Sequence, residues 1–318
     1  MSLLADLSHA LDAAPGYARC RDALAAGEDF TLAAPGSVRP LVTAALFRAR
    51  PRTTLVVVPG SEAAERYARH LTAYLPLDRV LTLPMATTPP WSRDAGRVEV
   101  TGRRARALWS LREGREVVVV ASARALLRRL PPTSAPETFE PLVLRAGATL
   151  EPEEAADRLA RMGYDRVDAA REPGQFAVRG GTLDVYPTDG AFPVRADLLG
   201  DEIETLRRYV ATTGQSVGDV ETVEAFPARE IRLSRSVSKD IQFAYRSAFR
   251  DLKAKAESDP ELAHELELIE QGVYFNGVEW YLPRVYKELS AATDYVAKDA
   301  LVVVAEPRAL FDDTVRRR

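Results

Sequence analysis

The chain has 318 residues, 43 of them Lys or Arg and 46 Asp or Glu, so its net charge is −3, and 46% of its residues are hydrophobic. This length predicts two or three domains, and the composition excludes a wholly disordered or collagen-like chain. One cysteine and three scattered histidines exclude a disulfide framework and argue against a clustered metal site. No apolar run approaches the roughly 18 residues that span a membrane. We predict a cytoplasmic protein without a metal or cofactor.

Charge is unevenly distributed along the chain. Residues 1–132 carry a net charge of +7, residues 133–228 carry −9, and residues 229–318 carry −1. A step of this size between adjacent segments indicates separate domains. The basic first segment could attract DNA through phosphate contacts, but it has no Lys/Arg run interleaved with aromatic residues, so solvated helix faces are the favoured interpretation. A DNA-binding module stays open as an alternative.

Short apolar runs alternate with helical patterns through residues 1–132. Strands are predicted at residues 30–33, 54–58, 80–83 and 117–120. Helices are predicted at about 40–49, after an N-cap at Ser61, and at about 98–111. Nearly all-apolar strands between helices are typical of a parallel sheet covered on both faces. We therefore predict an α/β domain over residues 1–132.

The pattern changes after residue 132. A strand is predicted at 139–144 and a helix at 151–162, followed by short strands at 176–179, 182–186, 194–199, 202–209 and 220–226. Their apolar–polar alternation is typical of half-solvated antiparallel strands, so residues 133–228 predict an α+β domain. Residues 229–318 predict helices at about 238–256 and 261–271 and a lone strand at 301–305. We expect this strand to join the sheet of the first domain, which makes the middle domain an insertion.

Residues 33–40 occupy the place where a phosphate-binding loop would lie in an α/β domain. Such a loop needs small residues, a lysine for the phosphates and a Ser or Thr hydroxyl for Mg²⁺. Here Val38 stands for the second glycine, Arg39 for the lysine and Pro40 for the hydroxyl residue. Because the magnesium ligand has no replacement, the sequence predicts a degenerate loop without hydrolysis. A nucleotide-binding ATPase remains the alternative. The residues of this degenerate loop are Gly36, Ser37 and Arg39.

A second group of candidate residues lies in the predicted middle domain. Residues two apart on a strand share a face, so Arg195 and Asp197 should project together, away from the apolar residues between and beside them. Arg179 would join them if its strand were a neighbour. Arginine suits bidentate contacts with a partner protein, but by the pattern alone a solvated sheet face with weak internal ion pairs is the favoured interpretation.

The segment from residue 172 to 204 closely resembles the UvrA-binding domain shared by UvrB and the bacterial transcription-repair coupling factors (Mfd). UvrB has an intact phosphate-binding loop, which this chain lacks, so the resemblance points to the UvrB-like module of the coupling factors. It extends over essentially the whole chain, through residues 33–40, 83–91, 103–108, 117–127 and 275–283.

The resemblance implies a degenerate helicase-like α/β domain with an inserted UvrA-binding domain that is not itself an enzyme. It implies UvrA as the partner, recruited for nucleotide excision repair at stalled RNA polymerase. Intact members also bind RNA polymerase and duplex DNA as ATP-dependent translocases, so we expect this chain to be a fragment. Matching motifs with UvrB gives these UvrA-binding residues: Arg166, Arg179, Arg195 and Asp197.

Overall fold

The computed structural model describes residues 11, 14–89, 92, 96–135, 137–233, 257–286 and 288–315. The predicted helix at 238–256 lies outside these residues. The chain divides into two compact units. The first unit comprises the described residues of Met1–Met85, Ala107–Arg128 and Tyr295–Arg318, and the second comprises those of Ala86–Arg106 and Arg129–Asp294. The division into domains at 1–132, 133–228 and 229–318 stays a prediction.

The first unit contains a four-stranded parallel sheet with helices between its strands. The sheet runs from β12 (Leu301–Val304) through β1 (Thr54–Val58) and β3 (Val118–Ser122) to β2 (Val80–Leu83), and all neighbouring strands are parallel. β1 and β3 are buried along their whole length, as predicted for central strands between two helical layers. The helices are α1 (Pro15–Ala26), α2 (Arg39–Ala49), α3 (Ser61–Leu71), α5 (Ala123–Leu126) and α9 (Pro307–Val315), and the strands are β1 (Thr54–Val58), β2 (Val80–Leu83), β3 (Val118–Ser122) and β12 (Leu301–Val304). Helix α4 (Val98–Arg112) has residues in both units.

The last strand completes the first sheet, as the sequence predicted. β12 runs parallel to β1 with Thr54 opposite Leu301, so strands near the two ends of the chain are neighbours. The α/β class with a parallel sheet is therefore confirmed. Because β12 and β3 flank β1 on its two sides, no position beside β1 is left for a strand at residues 30–33.

Two local predictions in the first unit were wrong. Residues 28–35 form no strand, and Phe30 and Leu32 instead pack as partly buried side chains against the cluster that contains Tyr17 and Val42. Helix α3 begins at Ser61 itself, and its N-cap is Gly60, whose backbone is extended (φ −133°, ψ 167°) and which offers no side-chain cap.

The second unit is built on a six-stranded sheet. Its order is β10-β9-β8-β7-β6-β5, antiparallel throughout except for the parallel pair β5–β6. A separate ribbon pairs β4 with β11. The strands are β4 (Leu142–Arg145), β5 (Asp165–Arg166), β6 (Gln175–Arg179), β7 (Thr182–Val185), β8 (Val194–Leu199), β9 (Glu202–Tyr209), β10 (Ser216–Asp219) and β11 (Thr222–Ala225), and the helices are α6 (Pro152–Arg161), α7 (Pro260–Gln271) and α8 (Leu282–Val285).

Helix α6 covers one face of the six-stranded sheet. Ala155, Ala156 and Leu159 of this helix are buried in one cluster with Phe176 and Leu183 of the sheet. The predicted strand at 220–226 is shorter and pairs with β4 instead of the large sheet, while β10 was missed because its Ser-Val-Gly-Asp sequence lacks an apolar alternation. No helix among the described residues is long and apolar enough to cross a membrane.

Candidate docking surface

The strand register places two rows of mainly polar residues on one face of the six-stranded sheet, which we call the open face. Directly paired residues of a sheet project to the same side. One row runs Ala177, Asp184, Arg195, Arg207, and the other runs Arg179, Thr182, Asp197, Thr205. The alternate residues Val194 and Ala196 are buried on the opposite side, in the cluster under α6. The prediction that Arg195 and Asp197 project together away from their apolar neighbours is therefore confirmed.

Arg195 is engaged by a buried carboxylate on the neighbouring strand. Its Nε and Nη2 donate to Oδ1 and Oδ2 of Asp184 at 2.6 and 2.7 Å, a bidentate pair. The Asp184 side chain is only 5% exposed and that of Arg195 33%. The hydrogen bonds that Arg195 donates to Asp184 raise the pKa of the guanidinium, against the opposing effect of burial. Arg195 thus serves first to neutralise a buried charge.

Tyr209 closes one end of the open face. Its ring lies 5.2 Å from the guanidinium carbon of Arg195, within range of a cation–π contact. Its hydroxyl donates to the carbonyl of Ala170 at 3.4 Å, so the chain segment after β5 lies over this end. Burial, with the negative charge of Asp184 as a further cause, raises the pKa of Tyr209 to about 12.

The other end of the open face is more accessible. Asp197 accepts a hydrogen bond from Thr205 Oγ1 at 2.8 Å and pairs with Arg207 Nη2 at 3.2 Å. Arg179 is exposed at the end of β6, and no described residue forms an ion pair or hydrogen bond with its guanidinium. Its charge is therefore available for a contact outside this part of the chain.

The strand order settles where Arg179 and Arg166 lie relative to Arg195, which the sequence left conditional on neighbouring strands. β7 lies between β6 and β8, so Arg179 reaches the face of Arg195 through an intervening strand. Arg166 lies opposite Phe176 on the edge strand β5, and therefore on the side of the sheet that α6 covers. Its two terminal nitrogens pair with the carboxylate oxygens of Glu153 in α6, both at 3.2 Å. The structure thus brings together Arg179, Arg195 and Asp197 and places Arg166 on the opposite side.

The degenerate loop has its own internal contacts in the first unit. Arg39 is the first residue of α2, where its Nε donates to the carbonyl of Ala34 at 3.1 Å and its Nη1 pairs with Glu306 at 2.5 Å. Gly36 lies in a turn, and a Cβ built there would meet no atom within 4 Å. Ser37 lies in the same turn. No group of three or more potential metal ligands occurs in the described ranges.

Sequence reasoning missed Asp184, Tyr209 and Arg207, which hold the open face together. The same two-residue period that placed Arg195 outward also places Asp184 outward, between the inward Leu183 and Val185. The alternation alone therefore indicates the side of the sheet on which the Asp184 side chain lies, although it does not mark Asp184 as the partner of Arg195. Its pairing with Arg195 depends on the order of the strands, which no local pattern fixes.

Comparisons with known proteins match this part of the chain to a described domain. The family model "UvrB interaction domain" matches residues 142–231, which include β4 to β11 and therefore the whole open face.

Curated relatives match most of the chain, and those most similar are transcription-repair-coupling factors. The factor from Mycobacterium tuberculosis (strain CDC 1551 / Oshkosh) is 32% identical over 291 residues, which is 88% of this chain and 23% of the relative. The factor from Haemophilus influenzae is 28% identical over 80% of this chain and 21% of the relative. The factor from Bacillus subtilis (strain 168) is 25% identical over 85% and 24%. The chain spans about a quarter of the length of these relatives.

Proposed function

The chain belongs to the transcription-repair-coupling factor family, and we propose that residues 133–228, which lie within its second unit, form a non-catalytic docking module for UvrA. In this proposal the whole protein brings nucleotide excision repair to stalled RNA polymerase, with polymerase binding and ATP-dependent movement along duplex DNA in regions beyond this chain. The domain boundaries proposed are 1–132 and 229–318 for the helicase-like domain and 133–228 for the docking domain.

The observation that carries the proposal is the exposed Arg179 beside a preorganised polar face. A few anchors in a desolvated centre carry most of the affinity of a protein interface, and arginine is common among them. Arg195 and Asp197 are each fixed by cross-strand partners, so little side-chain freedom remains to be lost on binding. Arg166 would contribute from the sheet edge, as a peripheral contact.

The test is a calorimetric titration of UvrA with the chain and its variants. Charge reversal at Arg179 should weaken binding at least about tenfold, since it removes a charged hydrogen-bond donor and adds repulsion. Arg179→Glu is preferred to a change at Arg195, because loss of Arg195 would leave the buried Asp184 without its cation. Arg69→Glu, at an exposed arginine of α3 in the first unit, is the control. Unchanged affinity in Arg179→Glu would refute the assignment.

The two alternatives predict different behaviour. An ATPase would hydrolyse ATP in the presence of magnesium, but the cation of the degenerate loop is engaged by Glu306 and Ala34. A DNA-binding first segment would bind duplex DNA with an affinity that falls steeply with salt. ATP hydrolysis or salt-sensitive duplex binding by the isolated chain would favour the corresponding alternative over docking to UvrA. Under the proposed function we expect neither result.

A further inference from the structure

Two hairpin tips lie side by side at the accessible end of the open face. β6 and β7 are joined by Gly180 and Gly181, and β8 and β9 by Gly200 and Asp201. Each turn begins with a glycine of positive φ, +53° at Gly180 and +67° at Gly200, a conformation that side chains rarely adopt. The amide of Leu198 donates to the carbonyl of Gly181 at 2.8 Å, which ties the two tips together.

Leu199 projects from the second tip with 72% of its surface exposed. It lies two residues after Asp197 on the same strand, so it shares the open face. Arg179 lies two strands away, roughly 10 Å across the sheet. Leu199 is exposed, and the guanidinium of Arg179 forms no ion pair or hydrogen bond with a described residue. Both residues therefore lie at the same end of the open face.

The hairpin tip that carries Leu199 is hydrogen-bonded to residues 148–150, a separate segment of the chain that pairs beside β9. Leu150 donates its amide to the carbonyl of Asp201 at 2.6 Å, and Ile203 donates to the carbonyl of Ala148 at 3.0 Å. These bonds and the tie to Gly181 fix the backbone on both sides of the turn. Because this backbone is already fixed, binding has to order only the Leu199 side chain and not the turn that carries it, which lowers the entropic cost.

Exposure of a leucine is not by itself a sign of a binding site, since folded proteins expose many apolar atoms. Leu127, in the first unit, is 71% exposed and provides the comparison. Leu199 differs from Leu127 because it lies on a hairpin tip whose backbone is hydrogen-bonded on both sides of the turn. It also adjoins the open face, which lies within the residues matched by the UvrB interaction domain.

From this geometry we infer that Leu199 is an apolar anchor of the UvrA contact, which rests on the proposed function. The surface on UvrA that accepts it is an apolar pocket with a carboxylate at its rim, because the pocket buries Leu199 while the carboxylate pairs with Arg179. Charge at the rim sets orientation and the rate of encounter, and the leucine slows dissociation.

The experiment measures UvrA binding by the whole chain and three variants. Leu199→Ser should weaken binding about tenfold or more, mainly through faster dissociation, while Leu199→Met should stay within about threefold because it keeps an apolar side chain. Leu127→Ser is the matched control and should bind as the unsubstituted chain does. Circular dichroism of each variant shows that the fold is retained.

The outcomes separate this inference from the proposed function. If Arg179→Glu weakens binding and Leu199→Ser does not, the leucine anchor is wrong and UvrA docking stands. If the unsubstituted chain does not bind UvrA, both are wrong. Equal losses in Leu199→Ser and Leu127→Ser would also overturn the anchor, because the effect would then not belong to the hairpin tip.

Discussion

Breaking a buried ion pair in the second unit should destabilise the protein far more than breaking an exposed pair of the same chemistry. Arg104 Nε donates to Glu230 Oε1 at 2.5 Å, and the two side chains are 1% and 5% exposed. Removing one member leaves the other charged in a low-dielectric surrounding, which costs about 3–5 kcal/mol. For a unit of this size that corresponds to a fall of about 6–20 °C in Tm. The perturbation is Glu230→Gln, which keeps the shape and removes the charge.

The control lies in the same unit. Arg166 and Glu153 also form an Arg–Glu pair, but their side chains are 53% and 62% exposed. Water screens such a pair, so Glu153→Gln should change the free energy of unfolding by about 1 kcal/mol or less.

Urea denaturation followed by circular dichroism measures both changes. Replacing both buried partners together, as Arg104→Met with Glu230→Leu, should recover part of the loss because no charge then remains buried. Equal destabilisation by Glu230→Gln and Glu153→Gln would refute the reasoning from burial.

Two further predictions concern packing and pH. A Cβ at Gly102 would lie 2.1 Å from Oγ1 of the buried Thr188, so Gly102→Ala should lower the free energy of unfolding by at least about 1–3 kcal/mol, whereas Gly36→Ala should be nearly silent in the same denaturation assay. A similar cost in both variants would contradict the close approach at Gly102. The pKa of Tyr209, raised to about 12, exceeds its value of about 10 in an unfolded chain, so its contribution to stability is complete below pH 10 and is lost as pH rises toward 12. Unfolding measured across that range should show a shallower decline in Tyr209→Phe, and an unaltered slope would speak against the shift.

Local patterns predicted the side on which a residue lies better than they predicted its partner. The two-residue period of a strand is a property of the backbone, so the common face of Arg195 and Asp197 could be derived from sequence alone. The pairing of Arg166 with Glu153 required the position of α6 on the sheet, which no spacing near Arg166 encodes.

The wrong strand at residues 30–33 has a different cause. An apolar run of four residues fits a strand or a packed loop equally well. Here Phe30 and Leu32 bury their side chains against the cluster that contains Tyr17 and Val42 without pairing to a strand. The late strand was placed correctly in the parallel sheet of the first unit, beside β1.

The pairing of β1 with β12 bears on how the protein is made. These strands are separated by about 250 residues, and closing so long a loop carries an entropic cost that makes such contacts late events in folding. During synthesis on the ribosome, one side of β1 must wait until β12 has emerged, whereas every strand of the second unit emerges before β12. The strands of the second unit can therefore pair while the first sheet still has an unpaired edge at β1, and such an edge is prone to pair with other chains.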